Sequence, residues 1–178
     1  MCLPYSTTFL DARLQEAAVL SGMSSTSLEV DAVRTLMRRE ESYAVHAIAY
    51  VVENPGAPTA TIAEDLKLPP AFLAKVLRRL GRAGYLENRT GRSGGVTLKV
   101  DPAMISLLDV MQSVSGPVIL DTCQTHQQCA TQLRKGHCNI NGMWLRTTLA
   151  IHDIFASVKM SSLVDPEALN AWYRTADA

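Results

Sequence analysis

The sequence predicts a mainly helical α+β fold: three helices, a glycine-rich two-stranded hairpin, and a long C-terminal helix. Three observations carry this expectation. Apolar residues recur at helical spacing in residues 38–52, 71–83 and 143–158. A run of Thr90-Gly91-Arg92-Ser93-Gly94-Gly95 separates two short segments with strand-like alternation. Proline and glycine punctuate the chain where helices should stop.

The first helix, residues 38–52, places Tyr43, Ala47, Tyr50 and Val51 on one face, with Val45, Ile48 and Val52 beside it. Asn54-Pro55-Gly56 stops it. Thr59 or Thr61 caps a short second helix whose Ile62, Ala63 and Leu66 face inward. Pro70 suits the first turn of a third helix, where its missing N–H costs nothing. Phe72, Leu73, Val76, Leu77 and Leu80 form that helix's buried stripe, and Gly84 ends it. Residues 85–88 and 96–100 pair across the glycine turn. After Asp101-Pro102, Ile105, Leu108, Val110 and Met111 mark a fourth helix ending at Gly116-Pro117. Residues 121–141 form a polar loop with Cys123, Cys129 and Cys138. Trp144, Leu145, Leu149, Ile151, Ile154, Phe155 and Val158 make the last helix too apolar to stand alone in water, so it either packs back on the domain or, the favoured expectation, meets its own copy in a homodimer.

The domain boundaries come from the same pattern. Residues 1–36, with a short helix at 11–20, are an extension or an upstream start assigned too early, since Met37 opens a complete domain. Residues 37–100 form a DNA-binding domain, residues 101–165 a dimerisation region, and residues 166–178 a tail. Helix, helix, helix and hairpin, in this order, define a winged helix-turn-helix.

The charge distribution agrees. The chain of 178 residues has a net charge of zero, yet residues 67–99 hold eight basic groups against one acid, a balance of +7. A local polyanion site produces such a segment. On the third helix, Ala71, Ala74, Lys75, Arg78 and Arg79 lie outside the apolar stripe. Lys75 is the first candidate for a base contact, and Arg78 or Arg79 for phosphate. Arg89, Arg92, Ser93, Gly94 and Gly95 suit a wing whose backbone approaches the duplex closely and whose arginines favour a narrow minor groove. Double-stranded operator DNA is therefore the expected partner.

No apolar stretch is long enough to span a bilayer, and no secretory signal opens the chain, so a cytoplasmic address without membrane contact is expected. Thiols stay reduced there, which favours ligand or sensor roles for the cysteines. No nucleophile elbow or zincin motif is present, and His46 and His152 read as helix-face residues, so no enzymatic activity is expected.

These residues resemble a known family. Tyr43-Ala44-Val45-His46-Ala47, Phe72-Leu73-Ala74-Lys75-Val76-Leu77-Arg78-Arg79-Leu80, Ala83-Gly84-Tyr85-Leu86 and Gly91-Arg92-Ser93-Gly94-Gly95 are similar to the bacterial IscR, NsrR and RirA regulators. Ile105-Ser106-Leu107-Leu108-Asp109-Val110 and Cys138 followed by Trp144 extend the similarity over roughly residues 37–165. The resemblance implies a homodimeric transcriptional regulator, commonly a repressor, that senses iron, redox state or nitric oxide. It also implies an iron–sulfur cluster, 2Fe–2S or 4Fe–4S, on Cys123, Cys129 and Cys138. The C-x8-C spacing of the second pair is longer than in the best-known members, so the loop must bulge. Asn141 stands where one branch of the family carries a histidine. The candidate fourth ligand is Glu41 of the partner chain or His137. Arg134, Lys135 and His137 favour thiolate nearby. Zinc or thiol-only sensing, or an interaction module that has lost DNA binding, are the alternatives.

Overall fold

The computed structural model describes residues 35–89, 94–125, 129–165 and 167–168. The expectations for residues 1–34, for Arg92 and Ser93 at the hairpin tip, and for most of the tail lie outside the described residues. The chain divides between Leu36 and Met37, and the helices and hairpin belong to the unit Met37–Ala178.

Helix α1 (Arg39–Glu53) buries Ala44, Ala47, Ile48 and Val51, a stripe one residue away from the predicted one. Tyr43 and Tyr50 sit at its margin instead. The Tyr43 ring meets Phe72 edge-on at 5.3 Å, and the Tyr50 hydroxyl donates to Asp65. A phenol packs its ring while keeping its oxygen supplied with polar partners, which moves tyrosine to the edge of an apolar face.

Helix α2 (Thr59–Asp65) starts from Pro58, so neither Thr59 nor Thr61 is its cap. Helix α3 (Pro70–Arg82) starts from Pro69 with Pro70 in its first turn and buries Leu73, Val76, Leu77 and Leu80. Both end in the same way. The N–H of Leu68 donates to Ala63 and that of Lys67 to Glu64; in α3, Tyr85 donates to Leu80 and Gly84 to Gly81. These paired bonds need a left-handed residue just past the helix. Gly84 supplies it at φ 88° and Lys67 at φ 52°.

Strands β1 (Leu86–Asn88) and β2 (Val96–Leu98) pair antiparallel, Glu87 opposite Thr97. They are shorter than predicted. A third edge has no local signal in the sequence: Ala57 pairs with Val96 through Val96 N–H to the Ala57 carbonyl at 2.9 Å and Gly56 N–H to the Val96 carbonyl at 2.9 Å. The α1–α2 connection thus supports the hairpin. Gly95 makes this possible, because a Cβ there would lie 1.9 Å from the Gly56 carbonyl oxygen. Gly95→Ala should therefore unseat the hairpin and cost about 1–3 kcal/mol, read by denaturant unfolding.

A 3₁₀ turn (Pro102–Met104) leads to α4 (Leu107–Ser115). Ser106 caps α4: its hydroxyl accepts from Asp109 N–H at 3.1 Å, while the Asp109 carboxylate accepts from Ser106 N–H at 2.9 Å. Ile105 is buried but precedes the helix in extended backbone. Its carbonyl accepts from Met160, and Leu107 donates to Val158. This returns the chain to the core as α7 (Met160–Val164), with Met160 fully buried and α7 against α1. Between them, α5 (Ala130–Lys135) interrupts the cysteine segment, and α6 (Asn139–Ser157) begins four residues earlier than predicted.

Candidate nucleic-acid interface and thiol segment

The exposed side of α3 carries Ala71, Lys75, Arg78 and Arg82, with Ala74 half-buried. The burial of Leu73, Val76, Leu77 and Leu80 on one stripe forces these residues outward. Arg89 at the end of β1 is also exposed, and its contact with Glu87 is long, at 3.5 Å. Gly94 and Gly95 are half-buried at the base of the hairpin. Arg92 and Ser93 lie outside the described residues. Backbone order therefore brings three cationic side chains onto the surface of α3 and a fourth just past β1.

Arg79, a phosphate candidate from the sequence, is engaged within the fold. Its Nη1 donates to Glu40 Oε2 at 2.6 Å and to the Val114 carbonyl at 2.6 Å. The 3.6-residue period turns position 79 toward α1 and α4 rather than toward open solvent. Lys75 lies 3.4 Å from Glu40 Oε1 and 6.0 Å from the centre of the Phe72 ring, yet remains 52% exposed. No local sequence pattern marks Glu40 for this role. The Arg79 guanidinium, joined by Lys75, holds the Glu40 carboxyl below the usual carboxylate range, although burial opposes this. A depressed folded-state pKa contributes stability at neutral pH, and that contribution is lost as pH falls through the lowered value. Glu40→Gln should then lower Tm at neutral pH, and the difference from wild type should vanish in acid below the usual carboxylate range.

The thiol segment is more ordered than a loop. A 3₁₀ turn (Thr122–Gln124) holds Cys123, whose N–H donates to Asp121 at 2.8 Å. The long spacing between Cys129 and Cys138 is taken up by α5 rather than by an irregular bulge. Cys129 caps α5, its Sγ accepting from Gln132 N–H at 3.4 Å, and Cys138 precedes α6. Asn141, unable to serve as its histidine counterpart, donates instead to the Cys123 carbonyl at 3.1 Å. All three cysteines are free and half-buried. Asp121 beside Cys123 pushes its thiol up, against the expectation of thiolate favoured by Arg134, Lys135 and His137. Among the described residues, no three histidine, cysteine or acidic side chains are grouped as a metal site.

The fourth-ligand candidates separate clearly. Glu41 is only 4% exposed, and its carboxylate accepts from Arg38 N–H at 2.7 Å, capping α1. In this chain the first candidate's carboxylate is thus engaged at its own helix terminus. His137 is exposed and lies 3.1 Å from the Lys135 carbonyl through Nδ1. A carbonyl only accepts, so Nδ1 carries the proton and Nε2 is the nitrogen left for a ligand.

A connecting strap links this segment to α6. His152 Nε2 donates to the Val118 carbonyl at 2.7 Å, and Leu120 N–H lies 3.4 Å from Thr148 Oγ1. The inward side of α6 carries Trp144, Thr148, Ile151 and Phe155. Its outward side leaves Ile140, Met143, Leu145, Leu149 and Ile154 at least half exposed. No helix among the described residues is long and apolar enough to cross a membrane.

Comparison with known proteins fits this arrangement. The family profile "Rrf2: Iron-dependent Transcriptional regulator" matches residues 37–166. A "Putative HTH-type transcriptional regulator" of Aquifex aeolicus is 25% identical over 127 residues, covering 70% of this chain and 88% of that one. The HTH-type transcriptional regulator NsrR of Bacillus subtilis is 31% identical over 84 residues, covering 46% and 58%. Among solved structures, CymR, the global cysteine regulator of B. subtilis, aligns with TM-score 0.56 at 18% identity, covering 72% and 95%. IscR of T. potens aligns with TM-score 0.58 at 17% identity, covering 76% and 89%. At these identities the structural likeness concerns the winged-helix fold.

Proposed function

This chain belongs to the Rrf2 family of DNA-binding transcriptional regulators, and on that premise we propose that it binds an operator as a homodimer and answers to the state of Cys123, Cys129 and Cys138. Its relatives are regulators, not enzymes. One observation carries the reading: a chain of zero net charge exposes Lys75, Arg78 and Arg82 on one side of α3, with Arg89 just past strand β1. In this reading α3 enters the major groove, Lys75 faces base edges, Arg78 and Arg82 meet phosphates, and the hairpin with Gly94 and Gly95 follows the minor groove. A DNA partner implies a cytoplasmic address.

The outward side of α6 supports the homodimer. Five large apolar side chains of this helix are each at least half exposed, Leu145 and Leu149 on one flank and Ile140, Met143 and Ile154 on the other, and exposed apolar surface of this extent marks a protein–protein contact. Two copies then present two α3 helices to a two-fold operator.

Cys123, Cys129 and Cys138 are proposed as the sensory residues. Their chemistry fits an iron–sulfur cluster: three free thiols in one segment, with His137 Nε2 as a fourth donor. Such a cluster would supply iron reactive toward oxygen or nitric oxide. Thiol-only sensing is the second reading. It is favoured by Cys129 Sγ, which is engaged as the cap of α5; Asp121 pushes the Cys123 thiol up, which disfavours thiolate in either reading. In either case Asn141, Thr148 and His152 tie the sensory segment to α6.

Anaerobic purification with iron, sulfide and zinc counted per chain separates these readings. Iron and sulfide in equal amounts support the cluster; their absence with intact DNA binding supports the thiols alone. Operator affinity measured before and after removal of bound iron, or oxidation of the thiols, is expected to change about 5–150-fold, the range of a ~1–3 kcal/mol coupling. Equal affinities in both states would contradict sensing.

A further inference from the structure

The contacts around Arg79 set it apart from the other basic residues of α3. Nη1 of a guanidinium carries two hydrogens, and both are in use: one toward Glu40 on α1, one toward the Val114 carbonyl in the last turn of α4. That carbonyl belongs to the final turn of its helix, which has no partner further along α4. A cation there also suits the negative end of the helix dipole. Glu40 divides its two oxygens in turn, Oε2 to Arg79 and Oε1 to Lys75. A single acid in the first turn of α1 thus holds two cations one turn apart on α3, and Arg79 joins the same pair of helices to α4.

We propose that Glu40 and Arg79 are positioning residues for the DNA interface: they fix the rotation of α3 against α1 and α4 and hold the Lys75 ammonium between the Glu40 carboxylate and the Phe72 ring. Arg79 itself makes no phosphate contact. The inference rests on the reading that α3 binds DNA and assigns the function of the two residues within it. A helix that enters a groove converts a small rotation into displaced side chains at the base edges. Specificity is therefore sensitive to rotation, while attraction to phosphate is governed by the number of free cations. The two quantities separate in measurement.

The experiment uses the full chain and two duplexes, one selected by the protein from a randomised pool and one of arbitrary sequence. Affinities are measured across a salt series for wild type, Arg79→Ala and Glu40→Gln. For Arg79→Ala, the preference for the selected duplex should fall about tenfold, the scale of one lost base contact. The slope of log K against log salt should stay at its wild-type value, because no phosphate contact is lost. For Glu40→Gln, the preference should fall similarly while the arbitrary duplex binds more tightly, since an acid next to the interface has been neutralised. The double variant should show no further loss of preference, as expected for two residues acting as one unit.

A slope shallower by about two units for Arg79→Ala, with both duplexes weakened equally, would make Arg79 a phosphate contact in each half of a dimer and overturn the inference. An unchanged preference in Glu40→Gln, which sits at a half-exposed site and tolerates the isosteric amide, would overturn it too. Wild-type protein that binds neither duplex would overturn the DNA reading beneath it, a result distinct from either variant failing alone.

Discussion

Raising salt from about 50 to about 200 mM is expected to weaken DNA binding by roughly 10³–10⁵-fold, the loss for a protein that neutralises ~6–10 phosphates. The expectation does not come from overall charge, which is zero. It comes from where charge is displayed. Arg78, Arg82 and Arg89 are exposed, and the Arg89 contact with Glu87 is long, at 3.5 Å. Two copies in a dimer supply six such groups, the lower end of that range. Arg79 is left out of this count on the proposal that its Nη1 contacts with Glu40 and Val114 hold it within the fold. A filter-binding or anisotropy titration reads the slope directly. A flat profile would remove counterion release from the account, and with it the role assigned to α3.

Charge placed on the outward side of α6 should have the second large effect. Leu149→Lys combined with Ile154→Lys is expected to convert dimer to monomer in light scattering. It should also weaken operator binding by roughly 10²–10⁴-fold, the usual gain from tethering two binding modules. Both side chains are about half exposed in the single chain, at 52%, so the substitution costs the isolated fold little. Burying four lysines across a two-fold interface is far more costly, since each must be desolvated without a partner. The salt slope of the variant should be about half that of wild type. A variant that stays dimeric would assign the interface to another surface.

The range of the forces involved decides which parts of the fold are legible in the residues. The stripe of Leu73, Val76, Leu77 and Leu80 is a local periodic signal, and Pro70 and Gly84 bound it by backbone restrictions of their own. The core of the DNA-binding half is legible for that reason. Tyr43 and Tyr50 shift to the margin because a periodicity count treats tyrosine as apolar and ignores its hydroxyl. Helix α5 is six residues long without an apolar period, and only its capping by Cys129 and its left-handed Gly136 define it. Helix α7 has no local signature, because Met160 is buried by α1 and by the strand-like contact with Ile105, both more than fifty residues away in sequence. The site shows the same division. Exposure of Arg78 and Arg82 follows from the stripe opposite them. The Arg79–Glu40 pair spans 39 residues and the Arg79–Val114 bond 35, and no local pattern encodes either. Glu41 reads as an available ligand in the sequence because its place in the first turn of α1 says nothing about burial or about its bond to Arg38.

The central claim is that the exposed cations of α3 lie against DNA phosphates. The salt slope of Arg78→Ala tests it most directly. Each dimer carries the substitution twice, so the slope should become shallower by about two units, close to 0.9 per phosphate contact, with arbitrary and selected duplexes weakened alike. A slope equal to that of wild type would contradict the claim, because it would show that α3 faces something other than the duplex.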